Sequence, residues 1–401
     1  VIYANGKTLV GKLLSTKVFV GIGLISYSAY LWHQPLFAFA RLRHLTTPSE
    51  LLMGSLSLFS IVLAFLSWKY IEKPFRSASS ISSASIKSFA SIGLLAFVLI
   101  GLVGHIYEGF TSRFSEKVLD IANNNIAIFE AQISDCQKQL DIDPTVQGGC
   151  LLGPNKTSNS FALVGDSHAA ALQNSLSQFA GDFGVSGLGL SYASCPPLAK
   201  AITSYDDTCM VLRSSIFSDA GMDSLPRTVV VAARWTLLLE QSRYVNNYGF
   251  MESGSDWTWD LGHRSEKTYQ DKMAGEIVDS LNAIVASGRN LIIVYPVPEL
   301  GWDAPTLLSK HLRFSDIKLT QSVGAVAYTS FLERNKNAYL TLDKVGGLKS
   351  VERIYPSDTL CNPELDLCLA HMDGIPLYYD DDHLSPYAAD KYAMEIYAQT
   401  A

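Results

Sequence analysis

Three apolar runs, residues 18–40, 51–71 and 86–106, crowd the first part of the chain. Each has about the 20 residues that a helix needs to cross the hydrocarbon of a bilayer. The first carries no Asp, Glu, Lys or Arg, and the other two hold one lysine each, Lys69 and Lys87. Three transmembrane helices are therefore expected. The first run does not read as a removable signal sequence, because two similar runs follow it without a small-residue cleavage pattern. Lys7, Lys12 and Lys17 precede the first run, and Lys69, Lys73, Arg76 and Lys87 border the loop between the second and third. The positive-inside bias puts both flanks in the cytoplasm, with Arg41 and Arg43 opposing it. An odd number of crossings then carries everything after about residue 108 to the far side.

Cysteine usage agrees with that topology. All six cysteines, Cys136, Cys150, Cys195, Cys209, Cys361 and Cys368, fall in the outer part. Local disulfides in an oxidising compartment are expected, and pairing of nearest neighbours is the simplest connectivity. No C-x-x-C pair is present to suggest a thiolate zinc site. Residues 109–401 hold 22 Lys and Arg against 35 Asp and Glu, a balance that excludes a nucleic-acid surface.

Within the outer part, the apolar pattern predicts a helix over about 115–138, then a Gly, Pro and Asn-rich stretch leading to a strand at Phe161–Val164. Further short runs rich in Val and Ile, 229–232 and 291–295, have the composition of strands buried on both faces. Between them, residues 267–286 carry apolar side chains at helical spacing and stop near Gly288. Alternation of this kind predicts a three-layer α/β domain with a mostly parallel sheet from about residue 159 to 401. Ligands in such domains bind beyond the carboxyl ends of the strands.

The turn that follows the first strand, Gly165-Asp166-Ser167-His168, presents a serine before a run, 168–179, that can form a helix. Gly165 permits a tight turn and Asp166 can fasten it to nearby backbone. Either the Asp-Ser pair caps the helix, or Ser167 is a nucleophile helped by backbone N–H groups at the helix start. Near the other end, Asp380-Asp381-Asp382-His383 supplies what a serine nucleophile needs. His383 can take the serine proton, and Asp380, three positions earlier, can orient the other ring nitrogen. Spacing alone leaves Asp381 and Asp382 as substitutes for Asp380. The bland alternative is a solvated acidic turn with a helix cap at Ser385. No EF-hand spacing surrounds the three acids, so a bound metal is not expected.

These two blocks resemble the SGNH/GDSL hydrolase family, whose first block matches Gly165-Asp166-Ser167-His168 and whose last matches Asp380-x-x-His383. The resemblance implies a flavodoxin-like fold with Ser167 as nucleophile, His383 as base, Asp380 as its orienter, and the Ser167 N–H as the first oxyanion donor. The middle blocks depart from the family. The second region, 187–195, contains Gly189 and Ser194 as candidate donors. In the third, Val231-Ala232-Ala233-Arg234-Trp235, no asparagine stands where the family has one. Arg234 can donate to an oxyanion or a sugar oxygen and Trp235 can stack on a sugar face. Equally, Arg234 can be a surface charge and Trp235 a packing residue. Tyr378 and Tyr379, beside the proposed catalytic loop, are further candidates for sugar contact.

The membrane part adds two motifs, one around Trp32, His33 and Pro35 and one at Tyr70-Ile71-Glu72-Lys73-Pro74-Phe75-Arg76. They resemble the closing spans of the acyltransferase-3 membrane family, in the branch that carries an additional span and a periplasmic SGNH domain. By that resemblance residues 1–75 are the end of the acyltransferase module, 76–108 a linker with the additional span, 109–158 a periplasmic extension and 159–401 the SGNH domain. His33 is a candidate participant in the membrane module, or else an anchor or helix contact. The resemblance further implies a bacterial inner-membrane protein that transfers acetyl to a sugar hydroxyl of lipopolysaccharide O-antigen or a related surface polysaccharide. Its SGNH domain would bind no cofactor. Acetyl-CoA would be the ultimate donor, acting through earlier spans of a longer protein of which this chain is a fragment. Alternatives are a carbohydrate acetyl esterase and a non-catalytic glycan-binding or assembly domain.

Overall fold

Strands rich in Val, Leu and Ile with no charged residue inside them, as at 161–165, 228–232 and 290–294, must be covered on both faces, and the computed structural model has them at the centre of three layers. It describes residues 8–44, 47–76, 82–154, 159–200, 207–252, 254, 268–315, 318–346 and 351–400. Lys7 and Lys267, which enter the sequence reading, lie outside these residues. The strands are β1 (Cys150–Leu152), β2 (Phe161–Gly165), β3 (Gly187–Ser191), β4 (Thr228–Ala232), β5 (Asn290–Val294) and β6 (Val351–Ile354). They form a six-stranded sheet in the order β1-β3-β2-β4-β5-β6. Only the edge pair β1–β3 is antiparallel. With β1 set aside, the five parallel strands have the flavodoxin-like order.

Every residue of β2 and β4 is buried. Their alternate side chains point to opposite faces. Phe161, Leu163, Val230 and Ile292 join a core with the helices Gln173–Asp182 and Pro386–Thr400. Ala162, Val164, Val229, Val231 and Ile293 join another with Trp235–Glu240 and Tyr269–Ala286. Register aligns the carboxyl ends: Gly165 lies opposite Ser191 on one side and Ala232 on the other. Anything placed just past Gly165 therefore stands at the mouth where ligands bind.

Two expected helices are interrupted. The segment read as one helix over 115–138 is two, Glu116–Asn123 and Ile126–Ile142. Asn125 separates them, its side-chain oxygen accepting a hydrogen bond from the Ala127 N–H and so starting the second. The run 168–179 likewise splits into Ser167–Ala170 and Gln173–Asp182.

The chain divides into two compact units, Val1–Glu116 with Lys310–Asp316, and Lys117–Ser309 with Ile317–Ala401. In the first, two helices among the described residues are long and apolar enough to cross a membrane, Glu50–Phe75, which passes through a π-helical turn at Trp68–Glu72, and Ser83–Ile106. The helix Lys17–Arg43 has the length but falls short in apolarity, because Ser26, Tyr27, Ser28, Tyr30, His33 and Gln34 dilute it. Two candidate spans thus stand where three were expected. Polar side chains tie this helix to the next: Ser28 Oγ donates to Glu72 Oε2 at 3.1 Å and Trp32 Nε1 to Ser67 Oγ at 2.7 Å. His33 stays with its own helix, its Nδ1 lying 3.2 Å from the Ala29 carbonyl oxygen.

Nearest-neighbour pairing of the cysteines is what the structure contains: Cys136–Cys150, Cys195–Cys209 and Cys361–Cys368. Cys195–Cys209 fastens the loop after β3 to the helix Asp207–Ile216. Its closed loop is near the length for which cross-linking contributes about 3 kcal/mol. Replacing both cysteines by serine is expected to lower stability by about that amount in thermal or denaturant unfolding.

Candidate active site

The site begins with the sharp exit of the chain from β2. Gly165 has φ of 152°, and a Cβ there would stand 1.8 Å from the Ala232 carbonyl oxygen and 2.8 Å from the Ala169 Cβ. Only glycine fits between β4 and the helix that follows. Asp166 then fastens the turn twice. One carboxylate oxygen accepts from the His168 N–H at 2.9 Å and the other from the Arg234 N–H at 2.9 Å. The same side chain thus caps Ser167–Ala170 and clips the end of β2 to the end of β4. Ser167, the first residue of that short helix, projects beyond the sheet. Asp166 serves as the cap, which leaves Ser167 free for chemistry.

The partner loop is equally determined by its backbone. The Tyr379 N–H donates to the His383 carbonyl at 2.8 Å, and Ser385 Oγ donates to the Pro376 carbonyl at 2.8 Å. The carbonyls of Asp380 and Asp381 accept from Ala304 and Leu300 N–H groups at 2.9 and 2.8 Å. One oxygen of the Asp380 side chain accepts from the Asp382 and His383 N–H groups at 3.0 and 2.8 Å. Its other oxygen lies 2.7 Å from His383 Nδ1. His383 Nε2 in turn lies 2.8 Å from Ser167 Oγ. A serine, an imidazole and a carboxylate are therefore in continuous hydrogen-bond contact.

Asp382 also reaches the ring, its Oδ1 lying 2.9 Å from His383 Nδ1. Its other oxygen is 2.8 Å from Arg234 Nε and 3.4 Å from His168 Nε2. Arg234 is the hub of a buried charge cluster. Its guanidinium contacts Glu252 and Glu299, the latter at 2.7 Å, and Glu299 also binds Arg334 Nε at 2.8 Å. Glu252, Glu299 and Asp382 converge closely enough to share a cation. The cation they share is Arg234.

This arrangement sets the protonation of the site. Burial opposes charge on His383, but Asp382 and Asp380 outweigh it and hold the imidazole well above its ordinary 6.5. Burial also opposes charge on Asp382, and Arg234 with His383 holds it well below the usual carboxylate range. Asp381, buried beside Asp382 and Asp380, is pushed up to about 8. Burial and the neighbouring Glu299 push Glu252 up to about 7, against the pull of Arg234.

A cavity of about 240 Å³ opens over these groups. Its lining includes Ser167, Ser194, Arg234, Leu237, Leu238 and Asp380–His383. Ser194 stands there in a left-handed conformation, φ 57°. Gly189 lies within β3, where a Cβ would meet Cys150 Sγ, and it does not line the cavity. Trp235 is fully buried and donates its indole N–H to the Val294 carbonyl at 2.9 Å, so it packs the core and cannot stack on a sugar. Tyr378 and Tyr379 are buried too, which removes them as sugar platforms. Arg234 is no surface charge, being engaged by three carboxylates while still bordering the cavity. His33 belongs to the other unit. Glu252, Glu299 and Arg334 carry no motif that would mark them beforehand, and His168, although inside the Gly165–His168 block, was given no role of its own there.

Two measurements probe this geometry. Gly165→Ala is expected to cost about 3 kcal/mol, the upper end for overpacking, because the new methyl meets a strand carbonyl held in the sheet; unchanged unfolding behaviour would contradict the close approach. For pH, an imidazole takes up a proton only when neutral, so any reaction that passes the Ser167 proton to His383 is expected to speed up with rising pH through a midpoint above 6.5. Stability should run the other way. The raised imidazole contributes stability that is full below pH 6.5 and is lost as pH rises through the folded-state value.

A family model described as "SGNH domain (fused to AT3 domains)" matches residues 135–398. No curated protein shows a significant match. Among solved structures, the chain is similar to the periplasmic domain of a Salmonella ser. Paratyphi A lipopolysaccharide acetyltransferase, with 17% identity over 67% of this chain and 98% of that one and a TM-score of 0.44. A putative acylhydrolase from Bacteroides fragilis NCTC 9343 aligns with 15% identity over 62% of this chain and 89% of that one, TM-score 0.31. Because the family match spans more than half of the chain, the protein belongs to the family of SGNH domains fused to AT3 domains.

Proposed function

We propose that this site transfers an acyl group through a serine ester. The observation that carries the reading is the unbroken contact from Ser167 Oγ to His383 Nε2 and from His383 Nδ1 to Asp380, at 2.8 and 2.7 Å. In the first half-reaction Ser167 Oγ attacks the acyl carbonyl as its proton passes to His383 Nε2. The leaving group departs with that proton. In the second half-reaction a hydroxyl gives its proton to the neutral imidazole and attacks the Ser167 ester, and the serine is regenerated. The Ser167 N–H is the first candidate donor to the oxyanion, and Ser194 and Arg234 border the same space. A cavity of about 240 Å³ with Leu237 and Leu238 in its wall suits a short acyl group such as acetyl.

The acceptor we infer is a sugar hydroxyl of a surface polysaccharide, with lipid-linked O-antigen as the leading case. The lining of serine, arginine and aspartate side chains offers hydrogen-bonding groups to a hydroxyl-rich ligand. Two apolar helices ahead of the SGNH domain would keep the serine beside a lipid-linked acceptor at the inner membrane. Three disulfides suit a periplasmic setting for the domain. The family's AT3 partner would supply the acetyl group from acetyl-CoA, with no cofactor held by the SGNH domain itself.

Ser167→Ala tests the reading. In a strain lacking the native protein, restoration of glycan acetylation is measured by mass spectrometry, alongside hydrolysis of a small acetyl ester in vitro. The serine variant should lose at least about 1,000-fold in both while unfolding at the same temperature. Undiminished activity would remove Ser167 from the nucleophile role. Ester hydrolysis that glycan cannot divert, with unaltered glycan in cells, would make the protein an esterase instead.

A further inference from the structure

His383 Nδ1 has two carboxylates within hydrogen-bond distance, Asp380 Oδ2 at 2.7 Å and Asp382 Oδ1 at 2.9 Å. A serine–histidine pair requires only one. The two acids are held by different means. Asp380 has a side chain 16% exposed, and its second oxygen is engaged by backbone N–H groups of its own loop. The Asp382 side chain is 2% exposed, and its second oxygen meets Arg234 Nε at 2.8 Å. An ionised carboxylate buried that deeply is costly unless a cation faces it. Arg234 meets that need and is itself fixed by Glu252 and Glu299, with Arg334 behind Glu299. The Arg234 N–H also donates to Asp166, the residue before Ser167. Arg234 therefore connects the strand end that presents the nucleophile to the carboxylate that touches the base.

We propose that Asp382 is a second positioning residue for His383, aimed at Nδ1 by its ion pair with Arg234, so that the imidazole is oriented from two sides. The inference rests on the acyl-transfer reading of Ser167 and His383. Other groups facing the ring are Ser167 and His168 from the turn after β2 and the Phe129 ring, 5.0 Å away, from the helix Ile126–Ile142. The two aspartates are the anionic groups in contact with Nδ1, and removing either leaves the other to hold the N–H.

The test is the rate at which an alkyl fluorophosphonate modifies Ser167 in the full chain in detergent, followed across pH. The Ser167 Oγ–P bond forms, the P–F bond breaks, fluoride leaves and the serine proton goes to His383 Nε2, so the rate reports the neutral imidazole without an acceptor. Asp380→Asn should stay within about 100-fold of the unaltered chain, whereas loss of a lone orienting acid costs about 10,000-fold. Asp382→Asn should lower the plateau and move the midpoint to lower pH, because one of the two charges that raise the imidazole is gone. The double variant should lose about 10,000-fold. An Asp382→Asn profile that superposes on that of the unaltered chain, or the whole loss in Asp380→Asn alone, would overturn the proposal. If Asp382→Asn fails to fold, the size of the Asp380→Asn loss decides. Labelling of Ser167→Ala at the full rate would instead overturn the nucleophile assignment itself, a result separate from either aspartate outcome.

Discussion

A guanidinium surrounded by carboxylates is the interaction on which the working end of the domain depends. Arg234 sits two residues past Ala232, the end of β4, and is held by Glu252, Glu299 and Asp382. Three acids brought together in a poorly hydrated space would protonate or separate without it. With Arg234 in place, Asp382 remains ionised and can face His383, while burial first and the neighbouring Glu299 second raise Glu252 to about 7 against the pull of the same arginine. Removing a partner from such a buried cluster costs far more than replacing a surface pair, because the charges left behind stay desolvated.

The remaining precision comes from backbone hydrogen bonds. Asp166 joins two strand ends through its two oxygens, and Asp380 stitches its own loop with one oxygen while offering the other to the imidazole. Each acid is thus both a structural cap and a member of the site. That economy explains why Ser167 Oγ and His383 Nε2 stand 2.8 Å apart. Reorganisation is avoided at the moment charge moves, which is where preorganised sites gain their rate.

How much of this was legible in the sequence depended on distance along the chain. Ser167 and the Asp380–His383 pair stood out because each lies in a short motif whose spacing fixes local geometry. Strands β2, β4 and β5 were legible from apolar runs, to within a residue at their ends. The antiparallel edge strand β1 has only three residues and gave no such signal. The break at Asn125 was readable in principle, since three asparagines in succession are a cap signal that the apolar periodicity overrode. Trp235 and Arg234 were not readable. Position after a strand does not say whether a side chain turns into the core or toward the ligand, and the acids that hold Arg234, Glu252, Glu299 and Asp382, come from distant parts of the chain, the first two 18 and 65 residues away. Asp382 was left equivalent to Asp381 for the same reason, although one is buried against Arg234 and the other is not paired with it. The order of the parallel strands came from family resemblance, because no periodicity encodes which strands are neighbours.

The central claim is that Ser167 carries the acyl group between donor and acceptor. Its most direct test is to incubate the full chain with an activated acetyl ester, quench in acid, and examine the peptide containing Ser167 by mass spectrometry. The account predicts an acetyl group on Ser167 that forms at the rate of turnover, disappears when a sugar acceptor is added, and is absent from Ser167→Ala. Continued turnover with Ser167 never acetylated, under conditions that trap the ester on a known serine hydrolase, would contradict it.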